Sequence, residues 1–245
     1  MDFKYNFKKN PFEHQRDAWE EVLLRPELGY FMEIGTGKSK VLIDNMGMLY
    51  LRHDIDFALV IAPNGVYRNW VAKEIPQHMS DDVPLRMIRW VASPNKKQTE
   101  EIRSIQKGFA GLTVFVMNVE AFSSTKGQRV GKWMSKHLGK HGLIAIDEST
   151  TIKNPKAKRT KALMDIADGF SYKRLLTGSP ITKSPLDIYS QAEFLQRGML
   201  GDSYWAFQGR YAITKQQKMG ARSFTQSVGY RYLDELTERI SSFSY

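Results

Sequence analysis

Three stretches of this chain, Phe57–Ala62, Thr113–Met117 and Leu143–Ile146, are almost wholly apolar and no more than six residues long. Runs so short and apolar on both alternating faces read as strands covered by other elements on either side. Further strands are expected at Tyr30–Met32, Leu85–Trp90 and Lys173–Leu176. Between them lie amphipathic stretches of helical length: Glu13–Leu24, Lys38–Leu51, Val66–Ile75, Lys97–Gly108, Lys132–Leu138, Lys156–Ile166 and Pro185 to about Gln196. Such alternation predicts an α/β fold, a mostly parallel central sheet with helices on both faces and right-handed crossovers. Ligands of such sheets bind at the carboxyl ends of the strands. After Gln196 the character changes. Residues 197–230 are rich in Gly, aromatics and Lys/Arg without a clear period, and are expected to be irregular. Leu233, Leu236, Ile240 and Phe243 then mark one face of a last helix.

The strand expected at Gly29–Met32 runs directly into Met32-Glu33-Ile34-Gly35-Thr36-Gly37-Lys38-Ser39. This reads as a phosphate-binding loop. Gly35 and Gly37 permit a tight turn that presents backbone N–H groups to a polyphosphate. Lys38 reaches β- and γ-phosphates, and the Ser39 hydroxyl suits Mg²⁺. The helix expected from Lys38 adds the pull of its N-terminus on anions. Met32 departs from the strict pattern, which has Gly there. The alternative is an ordinary glycine-rich turn.

A second element, Leu143-Ile144-Ala145-Ile146-Asp147-Glu148, ends an apolar strand in two carboxylates. Opposite a phosphate loop, Asp147 would hold Mg²⁺ and Glu148 would orient and polarise an attacking water. The alternative is a strand followed by an acidic helix cap, since Asn154-Pro155 soon opens a helix. The two elements both follow strands, so they are expected to meet on one edge of the sheet.

Composition narrows the field further. With 42% hydrophobic and 25% charged residues, a chain of 245 residues is expected to fold as a soluble globule. It has no Cys, which excludes disulfides, thiolate zinc sites and a cysteine nucleophile. No apolar run approaches the ~20 residues of a membrane span, and the N-terminal residues lack a signal-peptide core. A formal charge of +10 favours a polyanionic partner such as nucleic acid. Two basic stretches stand out: Lys153, Lys156, Lys158, Arg159 and Lys161, and Lys126, Arg129, Lys132, Lys136 and Lys140 around Trp133. Either is also compatible with a solvated helix face. His14, His53, His78, His137 and His141 show no metal-ligand spacing. Trp70 and Trp133 read as packing residues rather than base stackers.

Taken in order, these motifs resemble the first RecA-like lobe of a superfamily 2 helicase of the Swi/Snf type, a P-loop NTPase domain. Phe12-Glu13-His14-Gln15, followed by Trp19, resembles the adenine-reading glutamine motif, and Met32–Ser39 resembles motif I. Leu59–Pro63, continuing to Asn69-Trp70 and Glu74-Ile75, resembles motif Ia and its helix. Val116–Glu120 resembles the segment that carries a DNA-contacting loop. Asp147-Glu148-Ser149-Thr150, then Ile152-Lys153-Asn154, resembles motif II. Leu175–Ile181 resembles motif III, and Leu186–Tyr189 with Phe194-Leu195 fits the segment after that motif. The likeness covers residues 11–196 well and the last 49 loosely, so 1–196 are expected to form the ATP-binding lobe and 197–245 an extension of it.

The resemblance implies roles. Gln15 would hydrogen-bond an adenine edge, with Phe12 or a neighbour on the ring. Gly35, Thr36, Gly37, Lys38 and Ser39 would hold ATP. Pro63, Asn64, Arg68 and Asn118 would lie near a DNA backbone. Thr177, Gly178 and Ser179, together with Thr150, would couple the ATP site to the DNA groove. The implied cofactors are ATP and Mg²⁺, and the implied partner is DNA, double-stranded more readily than single-stranded. The family commonly has His where this chain has Thr150, so its coupling is expected to differ. No second RecA-like lobe and no motif with an arginine finger is found in these residues. Such a finger accelerates phosphoryl transfer by orders of magnitude, so the isolated chain is expected to turn over poorly until a second lobe, in cis or in trans, completes it. Two further readings stay open: a DNA-binding or regulatory module of this fold without effective ATPase, and a P-loop small-molecule kinase. A bacterial or virus-infected cytoplasm is the expected setting.

Overall fold

The computed structural model describes residues 4–23, 25–219 and 222–245. Its centre is a six-stranded parallel sheet of β1 (Glu27–Tyr30), β2 (Phe57–Ala62), β3 (Leu85–Arg89), β4 (Leu112–Asn118), β5 (Gly142–Asp147) and β6 (Tyr172–Leu176). The strand order is β1-β6-β5-β2-β4-β3. The α-helices are α1 (Glu13–Val22), which precedes the first strand, α2 (Lys38–Leu51), α3 (Tyr67–Asn69), α4 (Ile75–His78), α5 (Lys96–Ser104), α6 (Thr125–Leu138), α7 (Lys158–Ala167), α8 (Tyr189–Leu195), α9 (Tyr204–Tyr211) and α10 (Leu233–Ser241). No helix among the described residues is long and apolar enough to cross a membrane.

The inner strands divide their side chains between two cores by simple alternation. Phe57, Leu59 and Ile61 of β2, Phe115 and Met117 of β4, and Ile144 and Ile146 of β5 face one core, with Met134 of α6, Leu163 of α7 and Phe194 of α8. Ala58, Val60 and Ala62, Val114 and Val116, and Leu143 and Ala145 face the other, with Trp19 of α1 and Val41, Leu42 and Met46 of α2. The sheet therefore has helices on both faces, which is why its strands read as continuous apolar runs. The outer edge of β1 is covered by residues 243–245. Gly29 N donates to Phe243 O, Tyr245 N to Gly29 O and Phe31 N to Tyr245 O, each at 2.9 Å, which satisfies an otherwise open strand edge.

Several elements differ from the sequence expectation, among them the helix expected over Val66–Ile75, which is divided into α3, a π-helical turn at Trp70–Glu74 and α4. The first strand is Glu27–Tyr30 rather than Tyr30–Met32, because the carbonyls of Met32 and Glu33 turn out of the sheet to meet Lys38. The first helix ends at Val22, and Leu24 lies outside the described residues. The helix expected from Lys132 begins at Thr125, where Ser124 caps it by accepting from Gly127 N at 3.1 Å. Residues 197–230 are largely regular, not irregular: α9 leads into an antiparallel hairpin of β7 (Ala212–Met219) and β8 (Arg222–Tyr230). The hairpin is hidden in the sequence because both of its strands are mostly polar and exposed, so no apolar alternation announces them.

Candidate functional site

Strand register builds the site. Tyr30 pairs with Leu176 across β1 and β6, and Leu176 pairs with Asp147 across β6 and β5. The last residues of three adjacent strands thus stand level. The Met32–Ser39 loop, the 177–181 loop and Asp147-Glu148 all emerge from one carboxyl edge. One position links two of the loops closely: a methyl on Gly178 would come within 2.7 Å of Ile34 Cγ1.

The loop at residues 32–39 depends on its glycines. Gly35 and Gly37 have φ of 85° and 86°, a region L side chains rarely adopt. Gly37 is also the residue before α2, and a Cβ there would lie 2.3 Å from Gln15 Nε2. Lys38 folds back over the loop, its Nζ donating to Met32 O at 3.0 Å and Glu33 O at 2.9 Å. Burial lowers the Lys38 pKa, opposed by the fields of Glu148 and Asp147. Thr36 Oγ1 donates to Glu33 O at 2.7 Å. Gln15 is buried, its Oε1 accepting from Phe12 N at 3.1 Å and its Nε2 donating to Thr36 O at 2.9 Å. It is thus a brace of the loop. His14, which shows no ligand spacing in the sequence, also meets Thr36 O, at 3.0 Å.

Asp147 is held from two sides. Trp70 Nε1 donates to Oδ2 at 2.9 Å, and the Glu148 backbone N–H donates to Oδ1 at 3.0 Å. Burial raises the carboxyl pKa, and these two bonds oppose the rise. Glu148 stands beside it with φ 49° and ψ 62°, a left-handed conformation that costs a non-glycine residue about 1–3 kcal/mol. Burial, then the charge of Asp147, raises its pKa as well, with Lys38 pulling the other way. Two carboxylates and an ammonium therefore share one partly desolvated edge. For Mg²⁺ the donor chemistry fits: the Asp147 carboxylate and the Ser39 hydroxyl are hard oxygen ligands of the kind that ion takes together with phosphate oxygens. Among the described residues no group of three or more His, Cys, Asp or Glu side chains is arranged to hold a metal ion.

The residues assigned to coupling are placed unevenly. Thr177 is buried, with its N–H on Tyr30 O at 3.2 Å and its Oγ1 accepting from Ser179 N at 3.2 Å. Thr150 makes no side-chain hydrogen bond among the described residues. Its neighbour Ser149 donates instead, at 2.6 Å, to Gln191 Oε1, and Gln191 Nε2 donates to Pro180 O at 2.7 Å and Asp187 O at 3.0 Å. The Asp187 carboxylate in turn ties down the loop, accepting from Thr182 N, Thr182 Oγ1, Lys183 N and Lys153 Nζ. Although burial pushes its pKa up, these donors hold it below the usual carboxylate value. Sequence reasoning misses Ser149, Gln191, Asp187 and Trp70. Ser149 and Asp187 lie in motif-like segments without a role of their own and Gln191 lies outside them, whereas Trp70, part of the Asn69-Trp70 match, reads as packing rather than base stacking.

The remaining candidates lie on the same edge, further along. Pro63 and Asn64 follow β2, and Ala62 pairs in register with Asn118 at the end of β4. Pro63 O accepts from Val66 N at 2.9 Å and Tyr67 N at 3.0 Å, starting the next helical turn. Asn64 and Arg68 are exposed, and Asn118 Nδ2 donates to Glu120 Oε2 at 3.1 Å. In the first basic stretch, Lys153 and Arg159 are engaged internally, on Asp187 and on Thr151 O. In the second, Lys126, Arg129, Lys132 and Lys136 lie along α6, largely accessible on its outer face.

The sheet order and the helices on both faces define a RecA-like α/β fold. The chain belongs to the SNF2-related domain family, whose model matches residues 14–239. It is similar to the SNF2 domain-containing protein ENL1 of Oryza sativa subsp. japonica, 24% identical over 95% of this chain and 24% of that protein. It is also similar to the human DNA repair and recombination protein RAD54-like, 24% identical over 93% of this chain and 31% of that protein. Among solved structures, the Sulfolobus solfataricus SWI2/SNF2 ATPase core in complex with dsDNA superposes with a TM-score of 0.70, at 21% identity, over 98% of this chain and 45% of that one. The chain thus spans about a quarter to a third of these curated relatives.

Proposed function

We propose that this chain is the ATP-binding motor lobe of a DNA-dependent ATPase that tracks double-stranded DNA, hydrolysing ATP when a second RecA-like lobe completes the site. The observation that carries this reading is the level register of Tyr30, Leu176 and Asp147, which gathers Lys38, Asp147 and Glu148 on one edge.

In this reading the N–H groups of Gly35, Thr36 and Gly37 cradle the polyphosphate, and Lys38 leaves its two carbonyl partners for the β- and γ-phosphates. Ser39 and Asp147 would hold Mg²⁺, whose charge offsets that of the phosphates. Glu148 orients the attacking water and accepts its proton, a task suited to a carboxylate whose pKa lies above the usual value. Gln15 keeps one further hydrogen-bonding position on each amide atom for an adenine edge, while it braces Thr36. Pro63, Asn64, Arg68 and Asn118 line the part of the edge that meets the DNA backbone. Thr177, Gly178 and Ser179, adjoining Ile34 and Tyr30, pass the state of one site to the other.

ATP binding and hydrolysis, measured with and without duplex DNA on this chain and on the chain joined to a second lobe, test the proposal, with Lys38→Ala as the blank. Mg²⁺–ATP binding by this chain and DNA-stimulated turnover only with the second lobe are the expected results. Undiminished ATP binding by Lys38→Ala would remove the phosphate-loop assignment. Turnover that survives Glu148→Gln would move the water-activating role elsewhere. DNA binding without turnover in the two-lobe protein would leave a binding module, and phosphate transfer to a metabolite a kinase.

A further inference from the structure

Trp70 occupies an unusual place for a core residue. It is 1% exposed, yet its one polar atom serves the site, the indole N–H reaching Asp147 Oδ2 at 2.9 Å across 77 residues of sequence. The backbone that delivers it is irregular. After α3, residues Trp70–Glu74 form a π-helical turn before α4 resumes the α-helix at Ile75. Wide turns of this kind are rare and recur at functional positions. Pro63, Asn64 and Arg68, past the carboxyl end of β2, lie in the same continuous segment shortly before Trp70.

We propose that Trp70 is the positioning residue for the metal-binding carboxylate of Asp147. The indole N–H holds Oδ2 and the Glu148 N–H holds Oδ1, so the carboxylate plane is fixed by one donor on each oxygen. Each oxygen keeps acceptor capacity for a metal-bound water. Ligating carboxylates are commonly oriented by an outer hydrogen bond, and losing it weakens metal binding about 10–100-fold. An indole suits the task in a buried position: it donates one bond, accepts none and brings no charge. The inference rests on the reading of Asp147 as the Mg²⁺ carboxylate.

The test uses this chain, ATP and Mg²⁺. ATP affinity is measured by calorimetry in EDTA and across a Mg²⁺ titration for wild type, Trp70→Phe, Asp147→Asn and the double variant. Trp70→Phe keeps an aromatic ring and deletes the donor. The expected result is unchanged ATP affinity in EDTA, a Mg²⁺ half-saturation about tenfold higher for Trp70→Phe, at least as large a rise for Asp147→Asn, and no further rise in the double variant. A Trp70→Phe titration within twofold of wild type, beside an Asp147→Asn defect, would overturn the positioning role. An Asp147→Asn titration like wild type would instead overturn the metal-site reading beneath it. Should Trp70→Phe fail to fold, the indole N–H resonances of the five tryptophans, isotopically labelled, give the answer in the wild-type chain. One resonance moved by Asp147→Asn should also move between ATP in EDTA and ATP with Mg²⁺, and its failure to do so would overturn the proposal.

Discussion

The Ser149 hydroxyl donates to the side-chain oxygen of Gln191 at 2.6 Å, with both residues fully buried. Gln191 passes the connection on, through its amide N–H groups, to the carbonyls of Pro180 and Asp187. The segment that carries Asp147 and Glu148 is thereby joined to the loop after β6. Gln191→Leu removes all three bonds and leaves buried groups unpaired, a loss of about 2–4 kcal/mol of stability. Urea denaturation checks this. In the two-lobe protein the same variant should lower DNA-stimulated ATP turnover more than turnover without DNA.

Thr150 stands where the family commonly has His, yet its hydroxyl binds nothing among the described residues. Thr150→Ala should therefore change stability by less than about 0.5 kcal/mol. A thermal melt showing a larger loss would mean that the hydroxyl bears structure after all.

Gly37→Ala places a methyl at a φ of 86° and 2.3 Å from Gln15 Nε2. The strain costs about 1–3 kcal/mol, and Gln15 must release the loop. ATP affinity should fall at least tenfold by calorimetry, whereas Gly65→Ala, where a Cβ meets nothing within 4 Å, should leave it unchanged.

Asp44 is buried one helical turn from Lys40, with which it forms an ion pair, and near the Tyr5 hydroxyl at 3.5 Å. Burial, opposed by Lys40, pushes its pKa up to about 6 from 3.8. A carboxyl whose pKa is higher folded than unfolded binds its proton more tightly in the folded state. Its contribution is therefore most favourable below about pH 4 and is lost as pH rises through about 6, by roughly 2–3 kcal/mol. Urea denaturation across this window should show wild type losing stability relative to Lys40→Met/Asp44→Asn, which removes the titrating group without stranding its partner. A constant difference between the two would place the titration elsewhere.

Arg68 is exposed beside the end of β2, in the segment proposed to meet DNA. Arg68→Ala should weaken duplex binding about equally across sequences. It should also reduce the slope of log affinity against log salt by about one. An unchanged slope, from binding measured at several salt concentrations, would remove Arg68 from the backbone contacts.

Much of this protein is legible in its sequence. The strands β2, β4 and β5 announce themselves because a strand covered on both faces needs no polar positions, and Lys38, Asp147 and Glu148 because they stand in short polar runs that follow apolar strands. Two kinds of feature escape. Most of the described side chains of the β7–β8 hairpin are exposed, so burial imprints no period on them. The partnerships of Trp70 with Asp147 and of Ser149 with Gln191 join residues 77 and 42 positions apart, and nothing local to either partner marks them.

The α/β alternation, the two-sided sheet and the glycine-containing Met32–Ser39 loop are already written in the amino-acid order, because each depends on short-range periodicity or on adjacent residues. Tertiary structure alone decided which side chains hold those groups in place. That choice depends on strand register, which sets Tyr30, Leu176 and Asp147 level, and on the packing of the segment after β2, which brings the buried Trp70 indole N–H to the Asp147 carboxylate.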